Sequence, residues 1–296
     1  MKRVLVIGEH SYIGTAFYEY IKKHASVMEV ELISSRDGKW KSVDLAAFDS
    51  VLHVAGKAHA DVGNVSEEVK QEYYKVNYEL AVEVANAAKK AGVRQFIYLS
   101  SIIIYGESAP LGKQKVISAD TKPAPANFYG DSKLQADLAI QALNSDGFRT
   151  AVLRLPMVYG FGSKGNYPLL AKMAKKLPLF PNVYNERSMI YIENLCEFIR
   201  EIIEYGDSGV FYPQNPEYTV TAKMVERIAD VAGRTVHLSM LLNPFIVLAG
   251  KVPGKIGRLA NKAFGNCVYE MKLSNYRDNT YQAYGFEDSI QRTEGQ

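Results

Sequence analysis

The strongest constraint on this chain lies near its start. The apolar, mostly β-branched run VLVI at residues 4–7 stops at Gly8 and gives way to a helical stripe. Ile13, Phe17, Tyr20 and Ile21 recur at the i, i+4, i+7 and i+8 positions of one helix face. A short run that is apolar throughout reads as a strand buried on both faces, the condition of a parallel sheet. The alternation then repeats. Residues 30–33, 50–54, 96–99 and 150–155 read as strands. Residues 76–91, closed by Gly92, and 129–143 read as helices between them. Strands and helices at this spacing predict an α/β fold, a Rossmann-type doubly wound parallel sheet with helices on both faces.

From about residue 161 the texture changes. Gly162, Gly165, Pro168, Pro178 and Pro181 break the alternation, and helices are expected only at 169–176, 192–204 and 221–232. We therefore expect residues 1–160 to form a dinucleotide-binding domain, with a return segment near 187–212. Residues 161–296 are expected to form a smaller α+β substrate-binding domain at the sheet's carboxyl edge, where open α/β sheets take ligands.

A chain of 296 residues, 47% of them hydrophobic, can build such cores without staples. Its two cysteines, Cys196 and Cys267, are too few for a disulfide framework or a four-ligand zinc site, which suits a reducing compartment. A net charge of +3 is too mild to make nucleic acid the expected partner. The apolar run after Met1-Lys2-Arg3 ends too soon for a signal peptide. Residues 240–252, broken by Asn243, Pro244 and Lys251, fall short of the roughly 20 residues a membrane span needs. A cytoplasmic location without a membrane span is the expectation. The basic, apolar stretch 245–262, interrupted by Pro253 and Gly254, reads as a packed helix pair in preference to an interfacial membrane helix.

The segment GEHSYIG at 8–14 joins the first strand to the first helix. Gly8 permits the tight turn and Gly14 close helix packing, and the amides at Ser11, Tyr12 and Ile13 then face a pyrophosphate. A ligand-free turn is the plainer alternative. At the end of the second strand, an acid would hold the ribose 2′-hydroxyl of NAD. Here stand Ser34, Ser35 and Arg36, which suit a 2′-phosphate, so NADP is the first expectation and NAD the second. Asp37 restores the NAD role if the strand ends later, and an Arg36 that serves no ligand is the other alternative.

Tyr129 and Lys133 stand at i and i+4 of a predicted helix and so share a face. A nearby ammonium is expected to lower the tyrosine pKa from about 10, as an acid or base at neutral pH requires. Ser100 and Ser101 close a strand at the sheet's carboxyl edge, where a hydroxyl can reach the same substrate atom. Tyr-x-x-x-Lys and serine pairs each arise often by chance, but their joint occurrence at successive strand ends is specific. His53 and His59 lack carboxylate or cysteine companions at ligand spacing, so no metal is expected.

These pieces, with HVAGKAH at 53–59, YYKVNYELAVEVANAAKKAGVRQFIYLSS at 73–101, IYG at 104–106, YGDSK at 129–133, RLPMVYG at 154–160 and RSMIYIENL at 187–195, resemble one family. It is the extended short-chain dehydrogenase/reductase family, in its nucleotide-sugar epimerase, dehydratase and ketoreductase group. The resemblance implies that Ser101 hydrogen-bonds the reacting sugar oxygen and Tyr129 transfers the proton. It implies that Lys133 holds the nicotinamide ribose and tunes the tyrosine, and that Asn77 props the active-site helix. Val54, Ala55 and Gly56 would lie under the cofactor, Asp44 and Leu45 would meet adenine, and Leu99, Ser100, Pro156 and Val158 are further expected cofactor contacts. Arg187 would meet the nucleotide diphosphate, with Lys164, Asn166 and Tyr191 as further substrate contacts.

Two departures from the family pattern stand out. Ser11 replaces the middle glycine of the turn, and Met157 replaces an asparagine that contacts the nucleotide diphosphate in UDP-galactose epimerases. The variant pattern looks like a subgroup that includes 4-keto sugar reductases. The expected activity is reduction of a UDP-linked 4-keto-hexose, with a 4-epimerase holding NAD as runner-up and a catalytically silent dinucleotide sensor as a third reading. A dehydratase is disfavoured because Ser101 is followed by Ile102, Ile103 and Ile104 and not by an acidic pair. By analogy with the family, residues 76–91 and 131–143 are expected to form a homodimer contact.

Overall fold

A computed structural model describes residues 1–24, 28–58 and 65–295, apart from the side chains at positions 37 and 255. His59 and the side chain of Asp37 lie outside the described residues. The chain divides into two compact units. The first comprises Met1–Gly106, Lys122–Leu155 and Ile192–Pro213, the second Glu107–Thr121, Pro156–Tyr191 and Gln214–Gln296. The break thus falls after Leu155, ahead of the boundary expected at 160, and residues 107–121 belong with the second unit.

The first unit is built on a six-stranded parallel sheet. Its strands are β1 (Lys2–Ile7), β2 (Met28–Ile33), β3 (Ser50–His53), β4 (Gln95–Ser101), β6 (Arg149–Leu155) and β10 (Gly209–Phe211), in the order β10-β6-β4-β3-β1-β2. Val4 to Ile7 of β1 and Val51 and Leu52 of β3 are fully buried, as apolar runs covered on both faces must be. The register aligns Ile7 with both Ile33 and His53, and His53 with Tyr98, so the carboxyl ends of β1, β3 and β4 lie side by side. Because β1 pairs with β2 on one side and β3 on the other, the strand order reverses there, and open sheets take ligands at that reversal. The architecture is the expected Rossmann-like one.

Helices α1 (Tyr12–Lys23), α4 (Phe128–Ala142) and α6 (Ile192–Tyr205) belong to this unit. The helix expected at 76–91 is longer. It opens as α2 (Glu67–Tyr74), passes through a π-helical turn at Lys75–Glu79 and continues as α3 (Leu80–Lys90). Glu67 and Glu68 favour its positive N-terminus, but the opening turns carry too few apolar residues to show a stripe.

In the second unit, three two-stranded parallel pairs replace the continuous sheet. β5 (Val116–Ile117) pairs with β12 (Val268–Tyr269), β7 (Met157–Tyr159) with β9 (Met189–Tyr191), and β8 (Leu179–Pro181) with β11 (His237–Ser239). The helices are α5 (Asn166–Ala174), α7 (Thr221–Val231), α8 (Asn243–Lys251), α9 (Lys255–Phe264) and α10 (Phe286–Glu294). Tyr159 anchors the core, with its hydroxyl 2.6 Å from Ser289 Oγ and accepting from Asn215 Nδ2 at 2.8 Å. Tyr191, expected in the substrate site, is a core residue instead. It is 2% exposed, and its ring packs on Tyr159 and Tyr284.

Candidate active site

The turn after β1 is shaped by a missing side chain. Gly8 has φ +127°, and a Cβ there would lie 2.9 Å from Val54 Cγ2, so only glycine closes this turn against the exit of β3. Ser11 is the N-cap of α1, its Oγ accepting the Gly14 amide at 2.8 Å. That explains a serine where the family pattern has glycine, and its hydroxyl proton can still be donated. The amides of Tyr12 and Ile13 lie in the first helical turn, which no intrahelical carbonyl reaches. At Gly56 the bare backbone faces two polar groups, since a Cβ would meet Lys133 Nζ at 3.2 Å and Asn77 Oδ1 at 3.3 Å. Turn, helix start and bare backbone together fit a bound dinucleotide.

β2 ends at Ile33, which leaves Ser34, Ser35 and Arg36 at its tip. Ser34 is buried and accepts the Arg36 amide at 3.1 Å, while Arg36 opens a 3₁₀ helix (Arg36–Ser42) with its side chain exposed. Asp44 caps the next short helix through Ala46. Leu45 packs into the core and is 7% exposed.

α4 carries the chemistry. Asn127 caps it by accepting the Gly130 amide at 3.0 Å, and Gly130 lets the helix approach the segment after β4. A Cβ at Gly130 would lie 2.9 Å from Ile103 O. This close approach sets the Tyr129 phenol beside the Ser101 side chain, whose hydroxyl favours the phenolate. Burial pushes the phenol pKa up to about 12, against the lowering effect of Ser101 and with a smaller push from Tyr73. The expectation of a tyrosine acidified by Lys133 is therefore corrected. Lys133 Nζ donates to Leu99 O at 2.8 Å, and burial lowers its own pKa to about 8, partly opposed by Asp137. The ammonium serves the strand end and not the phenol.

Asn77 sits in the π-helical turn, fully buried. Its Oδ1 accepts the Lys57 amide at 2.7 Å, and its Nδ2 donates to Lys57 O at 3.1 Å and Ser132 Oγ at 3.2 Å. It thus ties the segment after β3 to α4. π-helical turns recur at functional sites because the extra residue re-aims one side chain.

A second polar cluster, which the sequence reading missed, lies behind these groups. Asp137 accepts Ser100 Oγ at 2.6 Å and holds Arg154 in a two-pronged pair at 2.9 and 3.0 Å. Arg154 Nη1 also donates to the hydroxyls of Tyr105 at 2.6 Å and Tyr212 at 3.0 Å. Burial opposes the guanidinium charge, but Asp137 outweighs it and the pKa is raised. A sequence signal existed, because Asp137 continues the i, i+4 series of Tyr129 and Lys133. His53, at the end of β3, is fully buried with no hydrogen-bond partner for either ring nitrogen among the described residues. Burial, then Lys133, lowers its pKa to about 3.

In the second unit, Asn166, Arg187 and Met157 line one largely apolar pocket with Met173, Met189 and Met224. Arg187 Nη1 donates to Lys262 O at 2.6 Å. Lys164 is exposed and does not line this pocket. Pro156 is buried, and Val158 lies on β7 paired with Ile190.

A family model described as the NAD dependent epimerase/dehydratase family matches residues 4–213. A UDP-glucose 4-epimerase of Vibrio cholerae is 31% identical over 185 residues, covering 60% of this chain and 56% of the relative, so the chain spans little more than half of that protein. An Escherichia coli O157:H7 N-acetyl-alpha-D-glucosaminyl-diphospho-ditrans,octacis-undecaprenol 4-epimerase is 28% identical over 281 residues, covering 88% and 82%. Among solved structures, the NAD complex of a Thermus thermophilus UDP-glucose 4-epimerase matches with TM-score 0.70 and 20% identity over 99% and 98% of the two chains. The NADP complex of Bacillus anthracis dTDP-4-dehydrorhamnose reductase gives 0.70 and 16% over the same shares.

Proposed function

The chain belongs to the NAD dependent epimerase/dehydratase family, and from that premise we propose that it reduces a UDP-linked 4-keto-hexose at C4 with NADPH. The observation that carries this reading is that α4 sets Tyr129 beside the Ser101 side chain, with Lys133 one turn along the same helix. A nicotinamide dinucleotide held there would supply the hydride that the C4 carbon takes up. Tyr129 gives its proton to the C4 oxygen while the Ser101 hydroxyl donates to that oxygen and fixes it, and solvent returns the proton to the phenolate. A phenol held protonated by burial suits an acid that delivers a proton. Lys133 and Asn77 hold the ribose side of the site, and the amides of Tyr12 and Ile13, with Ser11, take the pyrophosphate. Arg36 and Ser35 meet the 2′-phosphate, and Arg187 and Asn166 the sugar diphosphate. We place the enzyme in the cytoplasm as a homodimer formed through α3 and α4.

The test is to mix a purified UDP-4-keto-hexose with NADPH and follow loss of nicotinamide absorbance. Arg36→Ala is expected to weaken NADPH binding by about tenfold or more and leave NADH binding unchanged. Absence of cofactor oxidation with every sugar and cofactor combination overturns the reductase. The second reading, favoured by the names of both sequence relatives, is a 4-epimerase that keeps NAD through two half-reactions. Its sugar would be carried on UDP or, as in the E. coli relative's name, on diphospho-undecaprenol. Interconversion of two sugars without net cofactor change would favour it.

A further inference from the structure

The α8–α9 helix pair of the second unit forms as expected, but most of its large apolar side chains are exposed. Leu241 is 85% exposed, Phe245 69%, Leu248 64% and Ile256 61%, with Val252 and Leu259 also exposed. On α8, Phe245 and Leu248 share a face at i, i+3, with Leu241 in the turn before the helix and Val252 at its C-cap also exposed, and on α9 Ile256 and Leu259 make a second apolar face. The hairpin is locked by other means. Asn261 Nδ2 donates to Gly250 O at 2.9 Å and its Oδ1 accepts the Leu111 amide at 3.2 Å. Gly257 backs onto the Val252 carbonyl so closely that a Cβ would collide. Small and polar residues hold α8 against α9, leaving the large apolar ones outward.

Exposed apolar area of this extent marks an interaction surface, and the charge pattern says which kind. Residues 240–265 contain Lys251, Lys255, Arg258 and Lys262 and no Asp or Glu. Lys251, Arg258 and Lys262 are exposed. An apolar stripe flanked only by cations complements a surface that is apolar beneath and anionic above. Neither helix can span such a layer, since α8 has nine residues and α9 ten. We propose that the α8–α9 hairpin docks this protein on the surface of an anionic lipid bilayer. Leu241, Phe245, Leu248, Val252 and Ile256 enter the acyl boundary, and Lys251 and Arg258 meet the phosphates.

The test is flotation of the full chain with vesicles of phosphatidylcholine mixed with phosphatidylglycerol, and with phosphatidylcholine alone. The protein is expected to float with the anionic vesicles and to bind them less tightly as salt rises. F245S/L248S should weaken binding more than tenfold, and K251Q and R258Q about fivefold each. Circular dichroism checks that the variants fold. If F245S/L248S does not fold, K251Q, R258Q and the salt series decide alone. Failure to float with anionic vesicles overturns the proposal, as does flotation that none of these changes weakens. Light scattering that finds F245S/L248S turning a dimer into a monomer also overturns it, because a second copy then covers the face.

Discussion

On β4, Ser100 donates to a carboxylate that already holds an arginine, while Ser101, the next residue, lies beside a phenol that has no charged partner among the described residues. Both contacts run to α4, whose Tyr129, Lys133 and Asp137 lie one above another on the same face. Behind Asp137 the polar groups are mutually committed. Arg154 is shared among Asp137, Tyr105 and Tyr212, and Asp137 is fully buried. Around Tyr129, Ser101 and Tyr129 are half-buried and keep hydrogen-bonding capacity for a ligand. The contrast teaches a division of labour. One end of the helix face is a buried brace that sets the position of α4 against β4 and β6, and the other end presents groups that can change partners.

If that division is real, the two ends should fail differently under substitution. The largest effect is expected from Tyr129→Phe, with turnover down by about 10²–10⁴-fold and unfolding free energy within about 0.5 kcal/mol of the parent. Ser101→Ala should follow the same pattern, losing about 10²-fold in turnover. Urea unfolding beside an assay of nicotinamide absorbance checks both. A matching loss of stability in either variant would mean that the open end is also a brace.

On the buried side the expected loss is in stability. Arg154→Met leaves the Asp137 carboxylate buried without its cation, which costs about 3–5 kcal/mol. Adding Asp137→Asn should recover part of that loss by removing the stranded charge. Ser100→Ala deletes one hydrogen bond to a charged group and should cost about 1.5–3 kcal/mol. Urea midpoints with unchanged slope would check these values. An Arg154→Met protein as stable as the parent would break the comparison outright.

How much of this was legible in the sequence depends on the range of the interactions. β1, β3, β4 and β6 announce themselves through short apolar runs, because burial on both faces is a local demand, whereas β2, at the sheet edge, keeps Glu29 and Glu31 exposed. β10 (Gly209–Phe211) does not, since three residues carry no period. The Tyr129, Lys133 and Ser101 set was legible because helix spacing and a strand end place it. Its pKa pattern was not, because the Lys133 contact with Leu99 O depends on where α4 meets β4. Asp137 continued a visible series, but its partner Arg154 stands on β6, and Tyr212, which Arg154 also holds, lies past β10. Tyr191 misled because a tyrosine reads alike in a cleft and a core. The α8 and α9 stripes show amphipathicity, yet no periodicity says what faces an apolar stripe.

His53 sharpens the comparison, because it is sealed like Asp137 but has no hydrogen-bond partner among the described residues. Its ring packs against Phe96 and Tyr98, at centroid distances of 6.1 and 6.2 Å, where only the neutral imidazole is tolerated. Folded, it takes a proton only near pH 3, whereas the unfolded chain takes one near the ordinary value of 6.5. Between those values the unfolded state binds the extra proton, so stability must fall as pH drops from 6.5. The slope from this residue is about 1.4 kcal/mol per pH unit at most. His53→Phe keeps a flat ring against Phe96 and Tyr98 and removes the titration. Urea unfolding of parent and variant from neutral pH down to about pH 5 should therefore give curves that diverge, the variant losing less. Parallel curves would mean that His53 finds a partner in the folded state and belongs with the paired groups of the brace.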